Sequence, residues 1–105
     1  MSSHYVTGLI GLLEPFPDKP RAQNVLKAPG AHVVAFQFGK AQELHEHTAA
    51  HPVLIQALAG HLRLSHADEE VELRPGDLLH LPARVPHSVI ALEDSTLTVT
   101  ILASP

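Results

Sequence analysis

The sequence predicts a single all-β domain, an antiparallel sandwich or barrel preceded by a short helix. Three observations carry that expectation. Short apolar runs recur along the chain, turn-forming dipeptides separate them at regular spacing, and several alternate apolar with polar residues at a period of two. At 105 residues the chain can build one core and not two. Apolar residues make up 45% and charged residues 17%, a balance that supports a buried core and argues against disorder.

Val6, Leu9, Ile10 and Leu13 form a helical stripe at i, i+3, i+4 and i+7, which predicts a short N-terminal helix. Gly8 and Gly11 weaken it and Pro15 ends it. Pro15, Pro17 and Pro20 make an extended connector, so residues 1–21 read as helix and linker and 22–105 as the domain. Pro29-Gly30 then divides a strand over Ala22–Ala28 from one over Ala31–Phe38, whose two faces are both largely apolar. Pro52–Ala59 is a further apolar run closed by Gly60. Leu62, Leu64, Val71 and Leu73 alternate with polar neighbours on either side of Ala67-Asp68, where a hairpin turns. Pro75-Gly76-Asp77 marks another turn before Leu78–Leu81, and His87–Leu92 and Leu97–Leu102 close the series. Ala41–Ala50 resists this scheme: its helix formers favour a helix by propensity, while its neighbours are all strands.

Several function classes are excluded early. Seven basic residues against eleven acidic ones give a net charge of −4, which removes the electrostatic case for nucleic acid. No apolar run approaches the roughly 18 residues of a membrane span. The first residues lack the basic and apolar regions of a secretory signal, so the expected compartment is the cytoplasm. Without cysteine there is no disulfide, no thiolate nucleophile and no sulfur-ligated metal.

The chain holds nine histidines, and His45, His47 and His51 fall within seven residues of one another. Neutral imidazole is a transition-metal ligand near physiological pH. In a helix His47 and His51 would share a face; in a strand His45 and His47 would point to one side and share an ion. Either pair fills half a coordination shell, and His87 is the best candidate to extend it. His4, His32, His61, His66 and His80 read as surface or packing residues.

At these positions the sequence resembles the cupin superfamily. Gly39, His45, His47 and Gly60 match the first cupin motif, G-x5-H-x-H-x3/4-E-x6-G. Gly76, Pro82 and His87 match the second, G-x5-P-x-G-x2-H-x3-N, with Arg84 in place of its middle glycine and Ala91 in place of its asparagine. The usual glutamate ligand is missing: counted from His47 its place falls on His51, and counted back from Gly60 it falls on Val53. The resemblance covers about residues 22–102 and implies a small jelly-roll β-barrel holding one divalent transition-metal ion, iron, manganese, nickel or zinc, on His45, His47 and His87, with His51 as a fourth ligand on the first count and open positions in its place on the second. An all-imidazole shell disfavours magnesium and calcium.

The activities the resemblance implies are those of a metal-dependent dioxygenase, lyase or isomerase on a small oxygenated molecule; the alternative is a non-catalytic metal- or small-molecule-binding module. The apolar strands favour a partly apolar ligand. Gln56, Arg63, Glu43 and Arg84 are the polar candidates near the barrel mouth, and no second histidine–carboxylate pair of the kind a sugar epimerase needs is evident. The doubly apolar Ala31–Phe38 strand points to a homodimer.

Overall fold

The structure, a computed structural model, describes residues 3–67 and 69–103. Among these residues there are nine strands and no helix: β1 (Arg21–Ala28), β2 (Ala31–Phe38), β3 (Glu43–His47), β4 (Val53–Ala59), β5 (Leu62–His66), β6 (Glu69–Leu73), β7 (Leu78–Leu81), β8 (His87–Ala91) and β9 (Ser95–Leu102). They form a five-stranded sheet in the order β1-β2-β9-β4-β7 and a four-stranded sheet in the order β3-β8-β5-β6. Every strand pairing is antiparallel.

Two expectations need correction. The helix over residues 6–13 does not form, because Gly8 and Gly11 both adopt left-handed backbone angles, at φ 71° and 82°, that interrupt a right-handed helix. The two sheets share no strand and do not close into a barrel; the fold is a sandwich with β1 and β7 as free edges of one sheet and β3 and β6 of the other. The hairpin between β5 and β6 forms where expected, with Ala67 at φ 47°, while Asp68 lies outside the described residues.

The core sits between the sheets. Phe38, Ile55, Ala57 and Leu97 come from the larger sheet and Leu62, Leu64, Leu73, Val89 and Ala91 from the smaller, all at most 3% exposed. Alternation puts Val53, Ile55 and Ala57 inward and leaves Leu54, Gln56 and Leu58 on the other face. The connection from β4 to β5 closely approaches the start of β9 at Gly60. It stands at φ 85°, and a Cβ there would run into the Ser95 hydroxyl, the Asp94 carbonyl oxygen and the Ser95 Cα. The Ser95 hydroxyl in turn accepts from the His61 amide at 3.0 Å.

The ambiguous segment divides. Glu43–His47 is an edge strand paired with β8, and residues 48–52 form an irregular connection. Pairing Leu44 with Val89 places it against the core, and that tertiary gain outweighs the helical preference of the local sequence.

Candidate functional site

An apolar cavity of about 180 Å³ lies between the sheets, at the end where β3 finishes and β8 begins. Val34, Phe36, Val53, Ile55, Val99 and Ile101 supply much of its wall, and its polar groups are the imidazoles of His47 and His87. An apolar cavity of roughly 150 Å³ accepts benzene, so this space suits a small ligand.

His47 and His87 are cross-strand partners with ring centroids 4.3 Å apart. Each ring is pinned in the same way: Nδ1 of His47 lies 3.0 Å from the His45 carbonyl oxygen, and Nδ1 of His87 lies 3.0 Å from that of Val85. A carbonyl oxygen only accepts, so each Nδ1 carries a proton and Nε2 is the nitrogen left to face the cavity. Backbone pinning of one nitrogen is how histidine is oriented to ligate through the other. His87 is 5% exposed. Burial pushes its pKa below the ordinary imidazole value; the bond to Val85 opposes that shift, and charge on His47 and His66 adds to it. The ring is therefore held neutral, the form that ligates.

The other expected ligands lie elsewhere. Strand parity leads one to expect His45 and His47 on one side, but a β-bulge breaks that parity: between the Leu44–Val89 and His47–His87 pairs, β3 advances three residues and β8 two. Leu44 and His47 both reach the cavity, and His45 turns outward, its side chain 88% exposed and its Nδ1 3.2 Å from Glu43. His51 is exposed in the connection before β4, and Val53, at the alternative position of the missing glutamate, is buried in the cavity wall. Among the described residues no three histidine, aspartate or glutamate side chains already converge on a point.

Gln56 lies on the outer face of the five-stranded sheet, opposite in parity to Ile55 and Ala57. Arg63 is on the outer face of the smaller sheet, 3.5 Å from Glu72 and 4.0 Å from Glu70. Arg84 occupies a turn at φ 64° whose amide donates to the Ala49 carbonyl oxygen at 2.8 Å. Three histidine–carboxylate approaches occur among the described residues, His45–Glu43 at 3.2 Å, His61–Glu72 at 3.6 Å and His66–Glu69 at 4.0 Å. The pair beside the cavity histidines is His66–Glu69, Nε2 to Oε2 at 4.0 Å. His66 was legible as an inward residue, since it continues the parity of Leu62 and Leu64.

A cupin-domain family profile matches residues 32–103, which span the two sheets from β2 through β9. The chain belongs to the cupin family. Solved structures share its fold over most of its length. A cupin superfamily protein from Desulfitobacterium hafniense superposes with a TM-score of 0.84 at 17% identity, covering 99% of this chain and 95% of the other. An RmlC-like cupin from Desulfovibrio desulfuricans gives 0.81 at 25% identity, covering 97% and 96%. KdgF from Halomonas sp. gives 0.77 at 21% identity, covering 89% and 87%. Comparison with curated proteins gives no match. No helix among the described residues is long and apolar enough to cross a membrane.

Proposed function

We propose that this cupin binds a small, partly apolar, oxygen-bearing molecule in the cavity between its sheets, at a divalent transition-metal ion held through Nε2 of His47 and His87. The observation that carries the reading is the matched pair of imidazoles, each with Nδ1 committed to a backbone carbonyl, at the wall of an otherwise apolar cavity. The donor set fits an ion of the iron, manganese, nickel and zinc group, since neutral nitrogen ligands suit these and not magnesium. When bound, such an ion supplies Lewis-acid polarisation of a ligand oxygen. The chain's own contribution is to orient both rings through their Nδ1 contacts, to keep His87 neutral by burial, and to bury the apolar part of the ligand against Val34, Val53, Val99 and Ile101. Dioxygenase, lyase or isomerase chemistry is the class of turnover this arrangement serves.

The reading is tested on protein purified without chelator or nickel resin. About one equivalent of metal in the wild type, lost in His47→Ala and retained in His32→Ala, supports it. His32 is remote, bonded to Asn24 at 2.8 Å. Metal no higher than trace in the wild type sinks it. We further propose a homodimer, which sedimentation at micromolar concentration showing monomer alone would refute.

A further inference from the structure

Six large apolar side chains stand exposed among the described residues, and they are not scattered. Tyr5, Val6, Ile10, Leu12 and Phe16 lie on the arm that precedes β1, and Leu78 opens β7. Tyr5 is 88% exposed, Ile10 61% and Leu78 60%. From Tyr5 to Leu13 the arm carries no charged residue, so nothing in its composition favours water. Its base is anchored: the Phe16 carbonyl oxygen accepts from Nε2 of Gln42 at 2.7 Å, and the Arg21 guanidinium lies 4.4 Å from the Phe16 ring. The molecule as a whole carries surplus surface. It exposes 6428 Å², where a compact monomer of this mass exposes about 5,700 Å². That excess is close to the roughly 800 Å² each partner buries in a stable complex.

The four sheet edges differ in how they are guarded against a further chain. β1 carries Arg21, Lys27 and a bulge between Asn24 and Leu26; β3 carries Glu43, Glu46 and its own bulge; β6 carries Glu69, Glu70 and Glu72. Charges and bulges of this kind keep an edge from pairing. β7 has neither: Leu78–Leu81 is uncharged and pairs with β4 in unbroken register. The outer face beside it continues the pattern. Leu78, Gln56, Thr98 and Ala35 form one row across β7, β4, β9 and β2, and the next row, from His80 to Val33, is equally free of acidic and basic residues apart from that histidine. The outer face of the smaller sheet, by contrast, presents Arg63, Glu70 and Glu72. β1 and β7 are opposite edges of one sheet. A two-fold axis lying along the strands between two such faces sets β1 of each copy over β7 of the other, so the arm leading into β1 arrives at the partner's Leu78. Its reach suffices: Tyr5 to Phe16 spans up to roughly 36 Å extended, against about 19 Å across five strands.

From these observations we propose that two copies of this chain pair through the outer faces of their five-stranded sheets, each laying its apolar arm, Tyr5–Leu13, along the β7 edge of the other. This rests on the homodimer reading above and gives it a surface and a reciprocal contact, arm on edge, made twice about one axis. It is independent of the metal reading, because neither the arm nor β7 lines the cavity of His47 and His87.

The test is sedimentation velocity at micromolar concentration on the full chain: wild type, the double variant Ile10→Glu with Leu12→Glu, Leu78→Glu, Leu78→Thr, and Glu70→Lys on the outer face of the smaller sheet. Thermal unfolding of each is the folding control. The arm variant and Leu78→Glu should weaken dimerisation at least about 100-fold and run as monomers. Leu78→Thr, which keeps a strand-forming residue, should weaken it about tenfold and carries the measurement if Leu78→Glu does not fold. Glu70→Lys should remain a dimer. Wild-type dimerisation retained by the folded arm variant, or by the folded Leu78 variants, overturns the inference and leaves the homodimer standing on another surface. Wild type that sediments as a monomer overturns both readings, and flotation of that monomer with phosphatidylcholine vesicles would assign the arm to a lipid surface instead. The chain has no cysteine, so Leu12→Cys and Leu78→Cys each introduce one thiol. A chain carrying both should become a covalent dimer under mild oxidation faster than either single variant; an intrachain disulfide, or no gain over the single variants, overturns the inference.

Discussion

Replacing His87 with leucine separates the two things a buried imidazole can do. His87 is 5% exposed, with the His47 ring and the apolar cavity wall beside it, and among the described residues its ring makes one hydrogen bond, from Nδ1 to the Val85 carbonyl oxygen. Losing that bond costs about 0.5–1.5 kcal/mol. Burying a leucine side chain in its place contributes about 1.5–3 kcal/mol relative to leaving it exposed, and the desolvation cost of the imidazole disappears. The sum predicts a metal-free variant as stable as wild type or more stable by up to about 2 kcal/mol. In a domain this size each kcal/mol is worth roughly 4–8 °C in melting temperature. Melting with and without metal supplies the second half of the comparison. Wild type at a metal concentration near 100 times its dissociation constant gains about 2.7 kcal/mol, and His87→Leu gains none. The pattern is that of a residue retained for binding against the interest of stability. A metal-free variant that melts more than about 8 °C below wild type would refute it, because His87 would then be a packing residue.

Three further outcomes follow from the same structure. Gly60→Ala should destabilise the fold by about 3 kcal/mol or more, since it combines a left-handed backbone with a collision against Ser95 and Asp94; urea unfolding measures it, and a loss below about 1 kcal/mol contradicts the close approach described at that position. In chelator-treated protein, the lowered pKa of His87 makes the unfolded chain the first to take up a proton as pH falls. Its contribution is therefore neutral above the ordinary value of 6.5 and becomes destabilising below it until the folded pKa is passed; the urea midpoint should fall more between pH 7 and about pH 5 for wild type than for His87→Leu. Ala49→Leu, which extends a side chain into the cavity wall, should reduce small-molecule affinity at least about tenfold while leaving metal stoichiometry at wild-type level; unchanged ligand affinity would place the ligand elsewhere.

The strands were legible because apolar alternation and turn dipeptides are local signals, and each of β4 to β9 starts and ends within about two residues of its sequence expectation. The N-terminal helix was misread because four apolar residues with helical spacing outweighed two glycines, whose left-handed angles no spacing rule records. The metal motifs gave His47 and His87 their place at the cavity. His45 does not share the side of His47 that strand parity predicts, for a physical reason: periodicity assumes one residue per pleat, and the extra residue in β3 is a property of its pairing with β8, not of its own composition. Leu44 held the missing hint. A half-buried Leu44 and a cavity-lining His47 are three residues apart, an odd separation that a regular strand cannot satisfy.

The bulge in β3 also sets how this edge tolerates insertions and deletions. Leu44 and His47 are each fixed by a partner on β8, and between them sit two residues where a regular strand needs one. Deleting either His45 or Glu46 would leave His47 two steps from Leu44, still opposite His87, on a strand now free of its irregularity. A one-residue gap here therefore leaves the His47–His87 pairing in place, though it erases the H-x-H signature of the first motif. Relatives with only one histidine at this point can keep the same first-strand donor, and engineers have a residue to remove before they have one to replace.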